Sequence, residues 1–505
     1  LVDARANPEP NLPTTFRPSS VPLDLPLLLG GAAGSQSSRV HARLRAAILG
    51  GRLAAGLRLP SSRALADQLG LRRNAVVTAY EQLLGDGLVE ARTGAGTFVA
   101  ARLPQGTEAA FAPPPALPVA GQGPFALGRT HPDGALLNQL GRLLRRQLAE
   151  PDPAHFGYGD PRGSAALRGA IAAHLAASRG IACDPGRIMV TSGTQQGLRL
   201  CVEALLRPGD AVWMEDPGYP TARRVLEASG ARLVPVPVDA AGLDATEGCR
   251  RAPDARLAYV TPSHQFPTGV TMSMPRRVAL LDWARQAGAW VVEDDYDSEF
   301  RYAGPPLTAL AGIDGPGRVI YLGTFSKTLF PGLRVGYAVL PPALLEQVTL
   351  ARSVADRFPS SILGDALAEL IASGGFAAHV RRMRTRYRAA RDLVATTLAR
   401  ASAGLLRVPV PDQGLHLLAL LPPGSPPGAA ERIRAAAGVE GRLLSECRMA
   451  DGEQDGFVLG FSGHALPALR QAAERLGLAT RRHLGPGSPP ARHSRAPNRE
   501  NTDRP

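Results

Sequence analysis

A change of pattern at the end of the first fifth of the chain constrains the fold more than any other feature. Residues 101–124 include Pro113-Pro114-Pro115 and carry no periodic apolar pattern. Such a stretch is extended rather than packed, because proline lacks an amide donor and resists both helix and sheet pairing. It divides the 505 residues into parts that must each close a core of their own. Residues 35–100 read as short amphipathic helices followed by two alternating strands. Residues 125–480 alternate strand-like apolar runs with helical patterns, which predicts an α/β layout. The ends, 1–34 and 481–505, are rich in Pro, Gly, Ser, Arg and Asn, and are expected to be disordered. The first residue is Leu1 rather than Met, so the natural start is expected elsewhere or at an alternative codon.

Charge and cysteine usage narrow the function classes. The net charge is +13, which points to a polyanionic partner where the charge is clustered. Residues 35–100 hold nine arginines against four acids, a local net of +5. Cys183, Cys201, Cys249 and Cys447 show no metal-ligand spacing and read as reduced thiols of a cytoplasmic protein. No apolar run approaches the ~20 residues of a membrane span.

Three helices fit residues 35–87. Leu44, Ala47 and Ile48 share a face of the first, and Leu65, Ala66 and Leu69 a face of the second, which follows Pro60-Ser61 and ends at Gly70. Val76, Val77, Tyr80 and Leu83 line the third. A hairpin around Gly94-Ala95-Gly96 follows, which predicts a winged helix-turn-helix. Arg72, Arg73 and Asn74 then stand at the end of the third helix that enters a major groove. Ser61, Ser62 and Arg63 open the helix before it, whose amides can hold a phosphate. Gly96 and Thr97 lie in the wing. An ordinary three-helix subdomain with a solvated basic face would read the same way.

The larger part contains the chain's one lysine, Lys327, against 56 arginines. Arginine replaces lysine as a cation but not as an amine nucleophile, so Lys327 is a candidate for Schiff-base chemistry. It sits near Thr324 and Ser326, with Arg334 seven residues on. The turn Thr191–Gly197, between a strand and a helix, suits a phosphate. An apolar strand at 289–292 leads into Glu293-Asp294-Asp295-Tyr296-Asp297; these acids either face solvent or meet a cation such as a protonated pyridine nitrogen. Tyr219, in the turn Glu215–Pro220, offers a ring for stacking.

The segment LRAAILGGRLAAGLRLPSSRALADQLGLRRNAVVTAYEQLLGDGLVEARTGAGTFVA resembles the GntR-type winged-helix family. SGTQQGL, EDPGYP, TPSHQFPTG, VEDDYDSEFRY and YLGTFSKTLFPGLRVGY resemble the fold-type I aminotransferases. Together, over residues 38–465, they resemble the MocR-type regulators. The resemblance implies a mostly parallel sheet with helices on both faces, a smaller C-terminal α/β part, and pyridoxal 5′-phosphate as cofactor. It makes Lys327 the aldimine lysine, pairs Asp294 with the pyridine nitrogen and Tyr296 with the phenolic oxygen, and stacks Tyr219 on the ring. Gly193, Thr194, Thr324, Ser326 and Arg334 would hold the phosphate. Tyr158 would reach the phosphate of a neighbouring subunit, making the active unit a homodimer. Tyr219 and Tyr158 read equally well as core or interface aromatics.

The chain departs from these families in places. Arg72 stands where a capping Ser is usual, and Ala75 and Thr78 replace commoner residues. Phe266, preceded by His264-Gln265, replaces the usual Asn. Val458 stands where aminotransferases carry the arginine that clamps the substrate carboxylate, and Thr221 where some relatives have another arginine. The expected function is a cytoplasmic regulator that binds operator half-sites on double-stranded DNA and senses pyridoxal 5′-phosphate or an amino compound at Lys327, with weak or no turnover. A working aminotransferase with a DNA-binding head is the second reading. A cofactor reservoir, supported by Arg72 alone, is the third.

Overall fold

The structure is a computed structural model. It describes residues 34–102, 121–315, 317–452 and 454–485 and divides into two compact units, 1–118 and 119–505. The expectations for residues 1–33, 103–120 and 486–505 lie outside the described residues.

In the first unit, α1 (Gln36–Leu49), α2 (Ser62–Leu69) and α3 (Arg73–Gly85) precede a hairpin of β1 (Val89–Arg92) and β2 (Gly96–Val99). Ser61 caps α2, its hydroxyl accepting from the Ala64 amide at 3.2 Å. Gly70 ends α2 at φ 63°, a left-handed conformation that a Cβ would penalise. Arg72 opens α3 with no side-chain cap, as its replacement of a Ser predicts. Leu44, Ile48, Leu65, Val76, Leu83 and Val99 form the core. The buried Tyr80 hydroxyl donates to the Pro60 carbonyl at 2.9 Å and ties α3 to the turn before α2. The arrangement is a winged helix.

The second unit is built on β3 (Ile188–Thr191), β4 (Ala211–Asp216), β5 (Arg232–Asp239), β6 (Gly242–Leu243), β7 (Leu257–Val260), β8 (Trp290–Asp295), β9 (Val319–Thr324) and β10 (Gly336–Val339). Their order is β3-β10-β9-β8-β7-β4-β5-β6. The strands from β9 to β5 run parallel; β10 is antiparallel to both its neighbours, and β6 is antiparallel to β5. Strands covered on both faces read as continuous apolar runs, and the alternation of side chains divides them between two core layers. Trp213, Val260, Val291 and Tyr321 enter one; Val212, Tyr259, Val292 and Leu322 enter the other. A second, antiparallel sheet of β11 (His416–Leu420), β12 (Arg442–Leu443) and β13 (Gly456–Gly460) has the order β11-β13-β12. It shares a core with the helices Gly375–Ala401 and Leu466–Leu484 around Tyr387, Leu417, Phe457 and Leu476.

Three expectations are corrected. The last helix continues to Leu484, so residues 481–484 belong to the fold; Leu484 is half-buried and packs on the core that Leu476 and Ala479 of the same helix enter. The chain is already docked at residue 124, the last of the stretch expected to be extended, because the Pro124 carbonyl accepts from the Glu440 amide at 2.9 Å. The strand expected at 289–292 does not stop short of the acids Glu293, Asp294 and Asp295. They form the second half of β8 and are 0%, 5% and 6% exposed.

A buried carboxylate is several kcal/mol unfavourable without partners, and these three find different ones. Glu293 accepts from the Leu310 and Ala311 amides at 2.9 and 3.0 Å, at the start of a short helix. Asp295 meets the Arg179 guanidinium at 2.6 Å and the Tyr321 hydroxyl at 2.8 Å. Asp294 projects to the opposite face. Removing one partner of a buried ion pair is expected to cost about 3–5 kcal/mol. Arg179→Met should therefore lower the unfolding free energy of the second unit by that amount in urea titrations; a loss under ~1 kcal/mol would show that Asp295 needs no cation.

Candidate ligand site and nucleic-acid surface

A cavity of about 260 Å³ opens at the carboxyl ends of the parallel strands, where open α/β sheets bind ligands. The turn after β3 brings Gly193 and Thr194, the turn after β4 brings Tyr219, and the end of β8 brings Asp294 and Tyr296. The short helix Phe325–Thr328 after β9 brings Ser326 and Lys327, with Thr324 before it and Arg334 beyond. All nine of these sequence-predicted residues line this one cavity. Tyr158 does not. It is 82% exposed, packed edge-on to Phe358 and beneath the Arg357 guanidinium.

Burial depresses the pKa of the Lys327 amine, and the nearby Arg334 depresses it further, while Asp297 and Asp294 act against both. An amine pushed toward neutrality is the form that attacks a carbonyl carbon. Gly128 lies over it: a Cβ there would sit 2.7 Å from Nζ. Asp294 accepts from the Tyr259 hydroxyl at 2.6 Å through Oδ2, while Oδ1 is buried with no partner among the described residues. Burial pushes its carboxyl up to about 7; the Tyr259 bond and Lys327 act against this, and Asp295 with it. A cation at Oδ1 would relieve that penalty.

The opposite end of the cavity suits an anion. Gly193, at φ 110°, opens the helix Thr194–Leu205 with no side-chain cap, which leaves the first-turn amides without a capping oxygen. The Arg334 guanidinium packs on Gly193, within 3.6 Å of where a Cβ would be. Arg334 itself is held left-handed at φ 54°, a conformation uncommon outside glycine. The Ser326 hydroxyl is buried and unpartnered, whereas Thr324 Oγ1 accepts from the Ser326 amide at 3.0 Å.

The neighbourhood of Phe266 answers a question left by the sequence. Gln265 turns away from the cavity, donating to Glu215 and to the Pro217 and Phe266 carbonyls. His264 turns to Asp297 at 3.0 Å and accepts the Tyr296 hydroxyl on its carbonyl at 3.0 Å. Neither replaces an asparagine at the cavity wall. Val458 is fully buried in β13. Sequence reasoning missed Tyr259, His416 and Arg442, all of which line the cavity. Tyr259 carried no signal beyond an aromatic in a buried strand, and Arg442 was one arginine among many.

In the winged helix, Ser61, Arg63, Arg72, Arg73, Asn74 and Gly96 are exposed, and Ser62 and Thr97 are half-buried. Arg73 Nε lies 3.5 Å from the Ser62 hydroxyl, which draws together the starts of α2 and α3. Arg58 lies against Gly96, and Arg92 covers the Phe98 ring at 4.5 Å, adding positive charge to the wing.

Residues 36–99 match the family described as bacterial regulatory proteins, gntR family, and residues 133–445 match aminotransferase class I and II. The chain is 38% identical to the probable rhizopine catabolism regulatory protein MocR of Rhizobium meliloti, over 87% of this chain and 92% of that one. It is 34% identical to the pyridoxine biosynthesis transcriptional regulator PdxR of Corynebacterium glutamicum, over 88% and 96%. Among solved structures, the kynurenine aminotransferase of Pyrococcus horikoshii superposes with a TM-score of 0.65 at 27% identity, covering 71% of this chain and 91% of that one. The α-aminoadipate aminotransferase LysN of Thermus thermophilus gives 0.64 at 28%, covering 71% and 91%.

The raised carboxyl of Asp294 has a measurable sign. In the unfolded chain it ionises near 3.8 and in the folded chain near 7. Between those values the native state holds the extra proton, so its contribution to stability falls as pH rises, by about 1.4 kcal/mol per unit at most, and levels off above about 7. Cofactor-free Asp294→Asn should therefore gain stability over the wild type from pH 5 to 7 and gain little more by pH 8. Urea titrations across that range check this; parallel curves for the two proteins would refute it.

Proposed function

This chain belongs to the MocR-type regulators, which join a GntR-type winged helix to an aminotransferase-like domain for pyridoxal 5′-phosphate, and on that premise we propose that it senses the cofactor, or an amino compound, through covalent attachment at Lys327. One observation carries the reading: the chain's single lysine, half-buried, lines a cavity that also holds a carboxylate oxygen with no partner among the described residues, Asp294 Oδ1. The residues fit the cofactor, since that oxygen and the Ser326 hydroxyl are buried polar atoms that lack partners among the described residues.

When bound, the cofactor supplies an aldehyde carbon and a ring that stores electrons while its nitrogen is protonated. The chain's residues do the rest. Lys327 presents a desolvated amine to the carbon. Asp294, ionised beside a cation, keeps the proton on the ring nitrogen. Tyr296, whose hydroxyl donates to the His264 carbonyl in the chain alone, would turn it to the ring's oxygen, and Tyr219 would offer an aromatic face. Gly193, Thr194, Thr324, Ser326 and Arg334 would hold the phosphate. Tyr158, exposed on one protomer, serves a second copy across a homodimer.

The winged helix binds DNA, as its family implies. Arg72, Arg73 and Asn74 enter the major groove, Ser61, Ser62 and Arg63 take phosphates, and the wing with Gly96 and Thr97 follows the backbone. Two heads on one dimer then engage spaced half-sites, and occupancy at Lys327 shifts their geometry. No single helix among the described residues is long and apolar enough to cross a membrane, and we place the protein in the cytoplasm beside its DNA. The aminotransferase reading is not favoured, because the relatives that match this chain over most of their length, head included, are described as regulators.

The test follows cofactor absorbance and operator binding together. Lys327→Ala should lose the band of lysine-attached cofactor. In the wild type, the cofactor or an amino compound should change operator affinity by about 5- to 150-fold, the usual range of allosteric coupling, and in Lys327→Ala it should not. A persistent band in the variant, or multiple turnovers with amino acids and 2-oxo acids, would overturn the sensing mechanism.

A further inference from the structure

Val458 leaves its own strand without a guanidinium, but the neighbouring strand provides one. In the antiparallel pair β12–β13, Arg442 stands directly opposite Val458, and Leu418 of β11 stands opposite it on the other side. Residues paired in this way project to the same face, with Cβ atoms about 4.5–5.5 Å apart. On that face Val458 and Leu418 pack with Phe266, Leu444 and Cys447, against Tyr219 and Tyr296. Arg442 emerges from the same row, half-buried, and reaches the cavity wall.

The Arg442 guanidinium has no hydrogen bond or ion pair with a described residue. Other buried arginines of this unit are engaged: Arg179 with Asp295, and Arg277 with the Met272, Thr308 and Pro262 carbonyls. A half-buried guanidinium left unpaired beside a ligand cavity is poorly explained as a structural cation. It is also distinct from the phosphate end. Arg334 packs on Gly193, and its positive charge is the one felt at Lys327. The charge of Arg442 is felt instead at Tyr219 and Cys447, where it opposes the upward push of burial on both groups. Of the residues that line the cavity, three are cationic (Lys327, Arg334 and Arg442) and Asp294 alone is acidic.

We propose that Arg442 binds the carboxylate of an amino-acid effector whose amine engages the cofactor at Lys327. A planar guanidinium takes a carboxylate through two parallel N–H bonds, and the apolar row of Val458, Leu418 and Phe266 excludes water beside it. The effector class is thereby narrowed from any amine to one bearing a carboxylate. This rests on the sensing role of Lys327.

The experiment titrates the full-length, cofactor-loaded protein with pairs of amino acids and their decarboxylated amines, following cofactor absorbance and, separately, binding by calorimetry. The wild type should bind the amino acid of at least one pair tenfold or more tighter than its amine. Arg442→Met should abolish that preference, and Arg442→Lys should retain part of it, which separates loss of charge from loss of fold. No preference in the wild type, or a preference that survives in Arg442→Met, overturns the assignment of Arg442 while leaving Lys327 untouched. A cofactor band that persists in Lys327→Ala instead overturns the underlying sensing mechanism. A panel in which no amine or amino acid binds overturns both.

Discussion

The second unit depends on how β8 carries three consecutive acids through its interior. A strand alternates its side chains, so Glu293 and Asp295 face one layer and Asp294 the other. On the first face, backbone amides take Glu293, and Arg179 with Tyr321 takes Asp295. Those partners tie β8 to the helix Ala165–Arg179, the helix Leu310–Asp314 and β9. On the second face Asp294 is given a single hydroxyl and one open oxygen. The same strand is thus locked on one side and left electrostatically incomplete on the other. The incomplete side is the cavity.

Incompleteness of this kind destabilises a cofactor-free chain and is tolerated where a ligand supplies the missing partner. The cavity concentrates several instances. Burial pushes the Asp294 carboxyl up and the Lys327 amine down, Ser326 lacks a partner, and Arg334 is held left-handed. Arg442 adds an unpaired guanidinium from the C-terminal sheet. Together these groups describe a ligand with a cationic ring atom, an electrophilic carbon and an anionic arm, with room for a second anion.

Much of this was legible in the chain. The α/β alternation, the three helices and hairpin of the head, and the glycine-containing turns are local patterns, and each is set by residues close in sequence. Lys327 was visible because its type is unique in the composition. The sequence leaves the acids open between solvent and a cation, because burial is not a local property. Glu293-Asp294-Asp295 looks like the wet end of a strand until Arg179, more than a hundred residues earlier, is brought against Asp295. The helix through Leu484 was missed for a related reason: the polar composition after 480 hides the fact that Leu484 packs on the core that Leu476 and Ala479 enter.

By itself, then, the sequence determined the two folded parts, the winged-helix pattern, and the residue types able to hold a phosphorylated aldehyde, since these follow from periodicity, turn chemistry and the lack of any substitute for lysine as an amine. The tertiary structure decided which acid is left open, what covers the lysine, and which arginine reaches the cavity from the strand beside Val458. Those outcomes turn on partners distant in the chain: Tyr259 against Asp294, Gly128 over Lys327, and Arg442 opposite Val458. Only the packing of strands from different segments could bring them together.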